Sequence, residues 1–417
     1  MIYLCSLLYV VAIYLRPAEI WTDFPFVEAL AVLSVMIAGL SYLGQPRRIL
    51  DLPHDKFVVG LWVAIVVSNL SWGWFGGAWF GFVEFFKVTF YYFLIRFAVR
   101  ETWQVQGLII TVVAVNVVLA VSGIIQFHTG TGLGGQPLLF DGRIRGTGIF
   151  NDPNDLAMSL VMIAPFLLDV AGDGARSFSR RVIASGALAA VLLAIFYTNS
   201  RSGVVSLGVV VAAYSFARLG NFAGAIAALV LFAAALSLGP SRMSMLDPAE
   251  ESAQMRIQAW SSALVMLKGD PLFGVGFARF TDFHERTAHS SFVHVFGELG
   301  LFGAFFWVGI YYWLVKGVLP SPTCDDVDLG VGRWRFVLLL STIGVLASSC
   351  FLSRQYILYP YTLVALGACY TAIANQQGAD IDMTISARSL TQIIAIAVGG
   401  VLMIYLTVRL FAQWAGL

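Results

Sequence analysis

The sequence is poor in charge. Only 12% of its 417 residues are Asp, Glu, Lys or Arg, whereas 59% are hydrophobic, and the mean hydropathy is +0.82. Soluble domains carry about twice that charged fraction. The formal net charge of +1 gives no information about nucleic-acid binding, and no nucleic-acid partner is expected. These values predict an all-α, polytopic integral membrane protein surrounded by membrane lipids.

Cysteines are few and show no paired metal-ligand spacing. Cys5, Cys324, Cys350 and Cys369 lie mostly inside apolar runs, which is typical of small buried hydrophobic residues. The N-terminus has no basic segment and no small-residue cleavage site. Its first apolar run is therefore expected to be a retained span and not a signal peptide.

Long apolar runs divide the chain into spans. A transmembrane helix needs about 20 mostly apolar residues. On that criterion we predict about 12–13 transmembrane helices, at 2–15, 25–44, 57–75, 79–98, 105–127, 154–171, 181–198, 203–217, 221–239, 289–315, 334–351, 355–375 and 389–411. The chain shows no internal repeat, which argues against repeat-built transporters.

The spans predict three regions. A first bundle covers 1–239 and includes an outer loop at 128–153, a long polar loop covers 240–288, and a second bundle covers 289–417. With the N-terminus in the cytoplasm, thirteen Lys and Arg lie in cytoplasmic loops and ten outside, so the long loop is expected to be periplasmic. Its apolar residues at 253, 257, 260, 264 and 267 predict an amphipathic helix on the outer membrane surface.

Arginines nevertheless collect on the predicted outer side, at Arg143, Arg145, Arg201 and Arg256. Such a cluster points to an anionic ligand, because a guanidinium binds phosphate or carboxylate through two hydrogen bonds. The alternative for Arg201, in the short turn 198–203, is a side chain that extends its charge to the membrane interface.

A helix start follows the first two arginines. Asn151 or Asp152 with Pro153 is typical of an N-cap and first helical residue, which is a purely structural role. A helix N-terminus also favours an anion. We therefore hold Asn151, Asp152 and Asn154 as candidate substrate-binding residues.

Three of the five histidines lie between positions 284 and 294. His289 precedes the apolar run of a predicted helix, where it is either a satisfied border histidine or an acid–base group with a pKa near neutrality. His294 and Glu298 are four residues apart and share a helix face. No pair of outward carboxylates is placed to hold a metal, so we expect no metal and no cofactor.

Five motifs, in order, resemble the O-antigen ligase/O-antigen polymerase family of bacterial envelope glycan enzymes, over about residues 140–305. They are Arg145-Gly-Thr-Gly-Ile-Phe-Asn-Asp-Pro-Asn-Asp-Leu-Ala, Asn199-Ser-Arg201-Ser-Gly, Arg256-x3-Trp260, Pro271-Leu-Phe-Gly-Val-Gly276 and His289-Ser-Ser-x8-Gly300-Leu-x-Gly303. One departure is Ser290, since the family often has Asn after its histidine.

The resemblance implies a GT-C-like, metal-independent, inverting glycosyltransferase of the bacterial inner (cytoplasmic) membrane, with its active site facing the periplasm. Its donor would be an undecaprenyl-diphosphate-linked glycan, and its acceptor lipid A core, another glycan or a protein. The family's essential arginines correspond to Arg201 and Arg256, and its essential histidine to His289.

These three residues are the expected catalytic group. The expected substrate-binding residues are Arg143, Arg145, Asn151, Asp152, Asn154, Ser290, His294 and Glu298. An alternative from another class is a transporter or flippase of lipid-linked glycans. It would need charges deep in several spans, and the spans are nearly free of charge apart from Glu84, Lys87 and Arg409.

Overall fold

A computed structural model describes residues 2–17, 50–219, 251–319 and 332–414, with a few single positions between these ranges. The predicted spans 25–44 and 221–239 lie outside these residues, as do Cys324 and the first part of the long loop. In the described ranges the regular structure is helical, apart from an isolated bridge between Thr131 and Pro137.

Thirteen α-helices follow one another in the described residues. They are α1 (Ile2–Leu15), α2 (Pro53–Leu70), α3 (Phe75–Ala98), α4 (Thr102–Thr129), α5 (Pro153–Gly172), α6 (Phe178–Tyr197), α7 (Arg201–Leu219), α8 (Glu251–Gly269), α9 (Phe280–Phe283), α10 (Ser291–Val318), α11 (Gly332–Ser349), α12 (Leu358–Gln376) and α13 (Ala387–Trp414). A single 3-10 turn at Gly148–Phe150 precedes α5. The predicted all-α architecture is confirmed.

Six of the described helices are long and apolar enough to cross a membrane, namely α3, α4, α5, α6, α10 and residues 387–411 of α13. Shorter apolar helices occur at Ile2–Leu15, Arg201–Ala217 and Trp334–Ser349. The chain is therefore a multi-pass membrane protein, as its composition predicted.

Helices α5 and α10 lie at the centre of the bundle. In each, 78% of the apolar window is buried, against 22% in α6 and 17% in α13. Helix α10 packs along α2, α12, α8 and α13, while α5 packs along α6, α11 and α7. The N-terminal ends of these two central helices are consequently held from several sides.

The polar loop contains the predicted helix, α8, which packs against α10 and α13. Its buried face consists of Ala259, Ala263, Met266 and Leu267. Trp260 and Leu264, from the predicted stripe, are half-buried. The face that packs on the bundle is thus rotated slightly from the stripe that the sequence suggested.

Helix α10 is broken at Gly300, where the backbone adopts φ 60° and ψ −161°. The segment 271–276 bonds to the groups on both sides of the break. Val275 N donates to Gly297 O at 3.0 Å and Gly276 N to Glu298 O at 2.9 Å. Leu301 N donates to Pro271 O at 2.9 Å and Phe302 N to Leu272 O at 3.0 Å. Buried backbone groups in an apolar surrounding need such partners.

Two glycines allow this close approach. A Cβ on Gly300 would lie 2.5 Å from the carbonyl carbon of Leu272, and a Cβ on Gly274 would lie 2.5 Å from that of Glu298. Both glycines have positive φ, of +60° and +68°. A larger residue at either position would meet rigid backbone in a conformation that L-residues disfavour.

We predict that Gly300→Ala lowers the thermal unfolding midpoint in detergent. The backbone conformation at Gly300 is essentially restricted to glycine and costs an L-residue about 1–3 kcal/mol, and the contact with Leu272 would separate 271–276 from α10. The matched control is Gly399→Ala in α13, where an added Cβ meets nothing within 4 Å. An unchanged midpoint for Gly300→Ala would contradict this account of the helix break.

Candidate functional site

A cavity of about 400 Å³ lies where α5, α7 and α10 begin. Its lining residues come from six separate segments of the chain: Arg143, Asn154, Asn199, Arg201, Ser202, Met255, Arg256, Arg286, Thr287, His289 and Leu352. The structure therefore brings together Arg143, Arg201, Arg256, Asn154 and His289, which the sequence offered as separate candidates.

Hydrogen bonds fix the wall formed by Arg143 and Asn154. Arg143 Nε donates to Thr198 O at 2.8 Å, and its Nη2 donates to Asn154 Oδ1 at 3.2 Å. Ser200 Oγ donates to the same Asn154 oxygen at 2.8 Å. The first turn of α5 is thus locked to the turn between α6 and α7.

Two helix starts contribute to the electrostatics of this cavity. Asn154 belongs to the first turn of α5, and Arg201 is the first residue of α7. Helix N-termini carry partial positive charge, and here they add to the arginine side chains. The arrangement favours a multiply charged anion such as a phosphate group.

Two residues of the lining have left-handed backbone conformations without being glycine. Asn199 has φ 50° and His289 has φ 48°. Such conformations cost about 1–2 kcal/mol and persist where the surrounding structure imposes them, often at functional sites. At His289 the restraints are identifiable hydrogen bonds on both sides of the residue.

On the N-terminal side of His289, Trp260 Nε1 donates to Ala288 O at 2.9 Å. Trp260 lies one helical turn beyond Arg256 in α8. One helix therefore provides an arginine of the cavity and also anchors the segment that carries the histidine.

On the C-terminal side, the start of α10 is tied to the loop that follows α11. Ser291 Oγ donates to Leu352 O at 2.6 Å, and Arg354 N donates to Ser291 Oγ at 3.0 Å. Ser290 is the N-cap of α10 and accepts from Val293 N at 3.5 Å. His289 is consequently positioned by α10, which follows it directly, and by two elements farther away in sequence, α8 and the loop after α11.

The pKa of His289 is lowered from its ordinary value. Burial is the largest cause, followed by the positive charges of Arg256, Arg354 and Arg286, while the charge of Asp152 acts in the opposite direction. The imidazole is therefore held neutral at neutral pH, which is the form that accepts a proton.

The sequence analysis missed two arginines. Arg286 lines the cavity, and Arg354 forms an ion pair with Asp155 beside it. In the sequence, both are among the ten Lys and Arg residues that the predicted topology places outside the cytoplasm, and no motif marks either as a site residue. The one signal for Arg354 was its place in a short polar link between two apolar runs, which is also the setting of Arg201.

Six other candidates do not line this cavity. Asp152 caps α5 by accepting from Asn154 N at 2.7 Å, Asn151 ends the 3-10 turn, and Ser290 caps α10. Arg145 N donates to Gln126 Oε1 at 2.8 Å. Substrate contacts from these four residues stay predictions, and the structure shows the roles they have in the fold.

His294 and Glu298 are the remaining two, and both are buried. His294 Nε2 lies 3.1 Å from Glu298 Oε1, and the same oxygen accepts from Phe280 N at 3.1 Å. The pair thus connects α10 to α9. Through this connection the pair supports the loop between α8 and α10. Any contact of either residue with substrate stays a prediction.

A family model described as O-antigen ligase matches residues 186–308. Over these residues the match confirms the resemblance to O-antigen ligases that the motifs predicted. The matched residues include Arg201, Arg256 and His289 of the cavity, whereas Arg143 and Asn154 lie outside them. No curated protein sequence matches the chain. The match supports a membrane glycan-transfer function of the O-antigen ligase type.

We predict that Trp260→Phe lowers glycan transfer about fivefold, because an aromatic ring is kept while the hydrogen bond that restrains His289 is lost, at a cost of about 1 kcal/mol. The matched control is Trp62→Phe. Trp62 Nε1 donates to Phe82 O at the same 2.9 Å, between α2 and α3. Equal transfer rates for the two purified variants would rule out a positioning role for Trp260.

Proposed function

We propose that this protein is a metal-independent, inverting glycosyltransferase of the O-antigen ligase type. It would transfer or polymerise an undecaprenyl-diphosphate-linked glycan at the periplasmic face of a bacterial inner membrane, as an O-antigen ligase or an O-antigen/exopolysaccharide polymerase. The observation that carries the proposal is the convergence of four arginines and His289 in one cavity of about 400 Å³.

The arginines suit the leaving group. Breaking the bond between the sugar's anomeric carbon and the diphosphate oxygen leaves negative charge on the diphosphate. Arg201 and Arg256 would hold that charge through paired hydrogen bonds, and Arg286 adds a further positive charge. Arg143, held by Thr198 and Asn154, would act mainly through its fixed charge.

His289 suits the acceptor. A neutral imidazole takes the proton from an acceptor hydroxyl as its oxygen bonds to the anomeric carbon, and the diphosphate leaves with the bonding electron pair. Attack from the face opposite the diphosphate inverts the anomeric centre. The acceptor would be lipid A core, a second glycan or a protein.

The proposed metal independence is supported by the composition of the cavity wall. None of its described lining residues is Asp or Glu. Throughout the described ranges, no three or more His, Cys, Asp or Glu residues are grouped as metal ligands. The guanidinium groups instead provide the positive charge that a divalent ion would supply.

The periplasmic assignment is supported by the distribution of charge. The cavity is lined in part by the loop between α8 and α10. The Lys and Arg bias predicts that this loop lies outside the cytoplasm. Among the described residues, no observation favours the transporter alternative: Glu84 and Lys87 pair with each other at 2.7 Å on the exposed side of α3.

We predict that His289→Ala and Arg256→Ala fail in different ways. His289→Ala should lower the turnover rate about 100- to 10,000-fold and leave donor affinity nearly unchanged, because a general base acts in the transition state. Arg256→Ala should weaken donor binding as well as turnover, and Arg256→Lys should restore only part, since an ammonium lacks the planar fork. Single-turnover kinetics with separate donor titration measures both quantities.

The control for this comparison is His128→Ala, an exposed histidine outside the cavity, which should retain full activity. The pH profile gives a second check. Because the pKa of His289 is lowered, transfer should persist as the pH falls through about 6.5, the ordinary value for histidine. Near wild-type transfer by folded His289→Ala would refute its role as the base.

We also predict that the purified enzyme keeps its activity in excess EDTA, because its arginines stabilise the leaving diphosphate. Transfer from lipid-linked donor to acceptor is measured with EDTA and again after Mg²⁺ or Mn²⁺ is added. If activity disappears and a metal restores it, the arginines are not the main groups that stabilise the diphosphate. Asp152 and Asp155 then become the candidate metal ligands.

A further inference from the structure

A second cavity, of about 540 Å³, adjoins the basic one. It is formed by Met255 and Gln258 of α8 and by residues 281–286. Met255 and Arg286 line both cavities, so the two lie next to each other at these side chains. We refer to this second cavity as the loop groove.

The chemistry of the loop groove differs from that of the basic cavity. It contains the carboxylates of Asp282 and Glu285, the amide of Gln258 and the hydroxyl of Thr281. Carboxylates repel a phosphate but accept hydrogen bonds from hydroxyl groups. The Phe283 ring, 48% exposed, adds an apolar face. Together these groups suit a neutral ligand rich in hydroxyls, which is the chemistry of a saccharide.

The groove is preformed. Phe280 N is held by Glu298 Oε1 at 3.1 Å, and Asp282 Oδ2 accepts from Arg279 Nε at 3.1 Å. The Arg279 guanidinium lies 5.5 Å from the centre of the Trp72 ring, within range of a cation–π interaction. A ligand would therefore meet an oriented carboxylate and would not have to order it.

We infer that the loop groove binds the saccharide of the acceptor, an assignment that rests on the proposed function. The wall of the groove continues along the chain from Glu285 through Arg286 to His289. A base must touch the acceptor hydroxyl that it deprotonates. A saccharide in the groove would pass Arg286 and present its terminal hydroxyl at His289, while the donor diphosphate occupies the arginines.

A labelling experiment tests binding without requiring turnover. Single cysteines replace Thr281 in the groove or Thr287 in the basic cavity, in the full chain with its four native cysteines changed to Ser. The probes are inorganic pyrophosphate and the oligosaccharide released by mild acid from the host's envelope glycolipids. The rate of maleimide labelling is measured with each.

We expect the oligosaccharide, at about four or more times its dissociation constant, to slow labelling of Thr281→Cys at least fivefold, and pyrophosphate to slow only Thr287→Cys. If pyrophosphate protects position 287 while the oligosaccharide leaves position 281 unprotected, the groove assignment is overturned and the proposed function stands. If pyrophosphate protects neither position, the diphosphate site fails and the groove assignment fails with it.

A kinetic experiment separates the acceptor from the donor glycan. Glu285→Gln should raise the acceptor concentration for half-maximal rate about tenfold, the usual size for one lost charged hydrogen bond. Turnover and the donor dependence should stay within about twofold. The matched control is Asp51→Asn, an exposed carboxylate in front of α2, expected to change neither. A rise in the donor requirement alone would assign the groove to the donor glycan and overturn the acceptor assignment.

Discussion

The backbone pairing between 271–276 and the break in α10 holds the site together. A central helix interrupted at Gly300 leaves amides and carbonyls that an apolar surrounding cannot satisfy. The loop supplies the missing partners on both sides of the break. This attaches a polar segment to one of the two central helices of the bundle, and the attachment requires the two glycines that let the backbones meet.

The position of His289 depends on that attachment from two directions. Helix α10 starts directly after His289, and α8 reaches the same point through the bond from Trp260 to Ala288. The buried pair of His294 and Glu298 holds α9 above α10. A strained backbone at His289 is therefore maintained by contacts with parts of the fold that do not take part in chemistry.

Positive charge is concentrated in one place in a protein with little charge elsewhere. Four arginines line a single cavity, and a fifth, Arg354, lies beside it in an ion pair with Asp155. Arg143 is oriented by the hydrogen bonds that it donates to Thr198 O and Asn154 Oδ1. The combined charge also lowers the pKa of His289, so the groups proposed to hold the donor favour the neutral form of the base proposed to act on the acceptor.

The sequence by itself determined the membrane class, the helices, the cap at Asp152 and the candidate residues Arg143, Arg201, Arg256 and His289, because hydropathy, capping chemistry and local motifs are properties of short stretches. Only the tertiary structure decided that these residues share one cavity, that Arg286 also lines it with Arg354 beside it, and that His294 and Glu298 support the loop. Those facts depend on which helices pack together and where a helix breaks. Such contacts join positions as far apart as Asp155 and Arg354, and no local pattern specifies them.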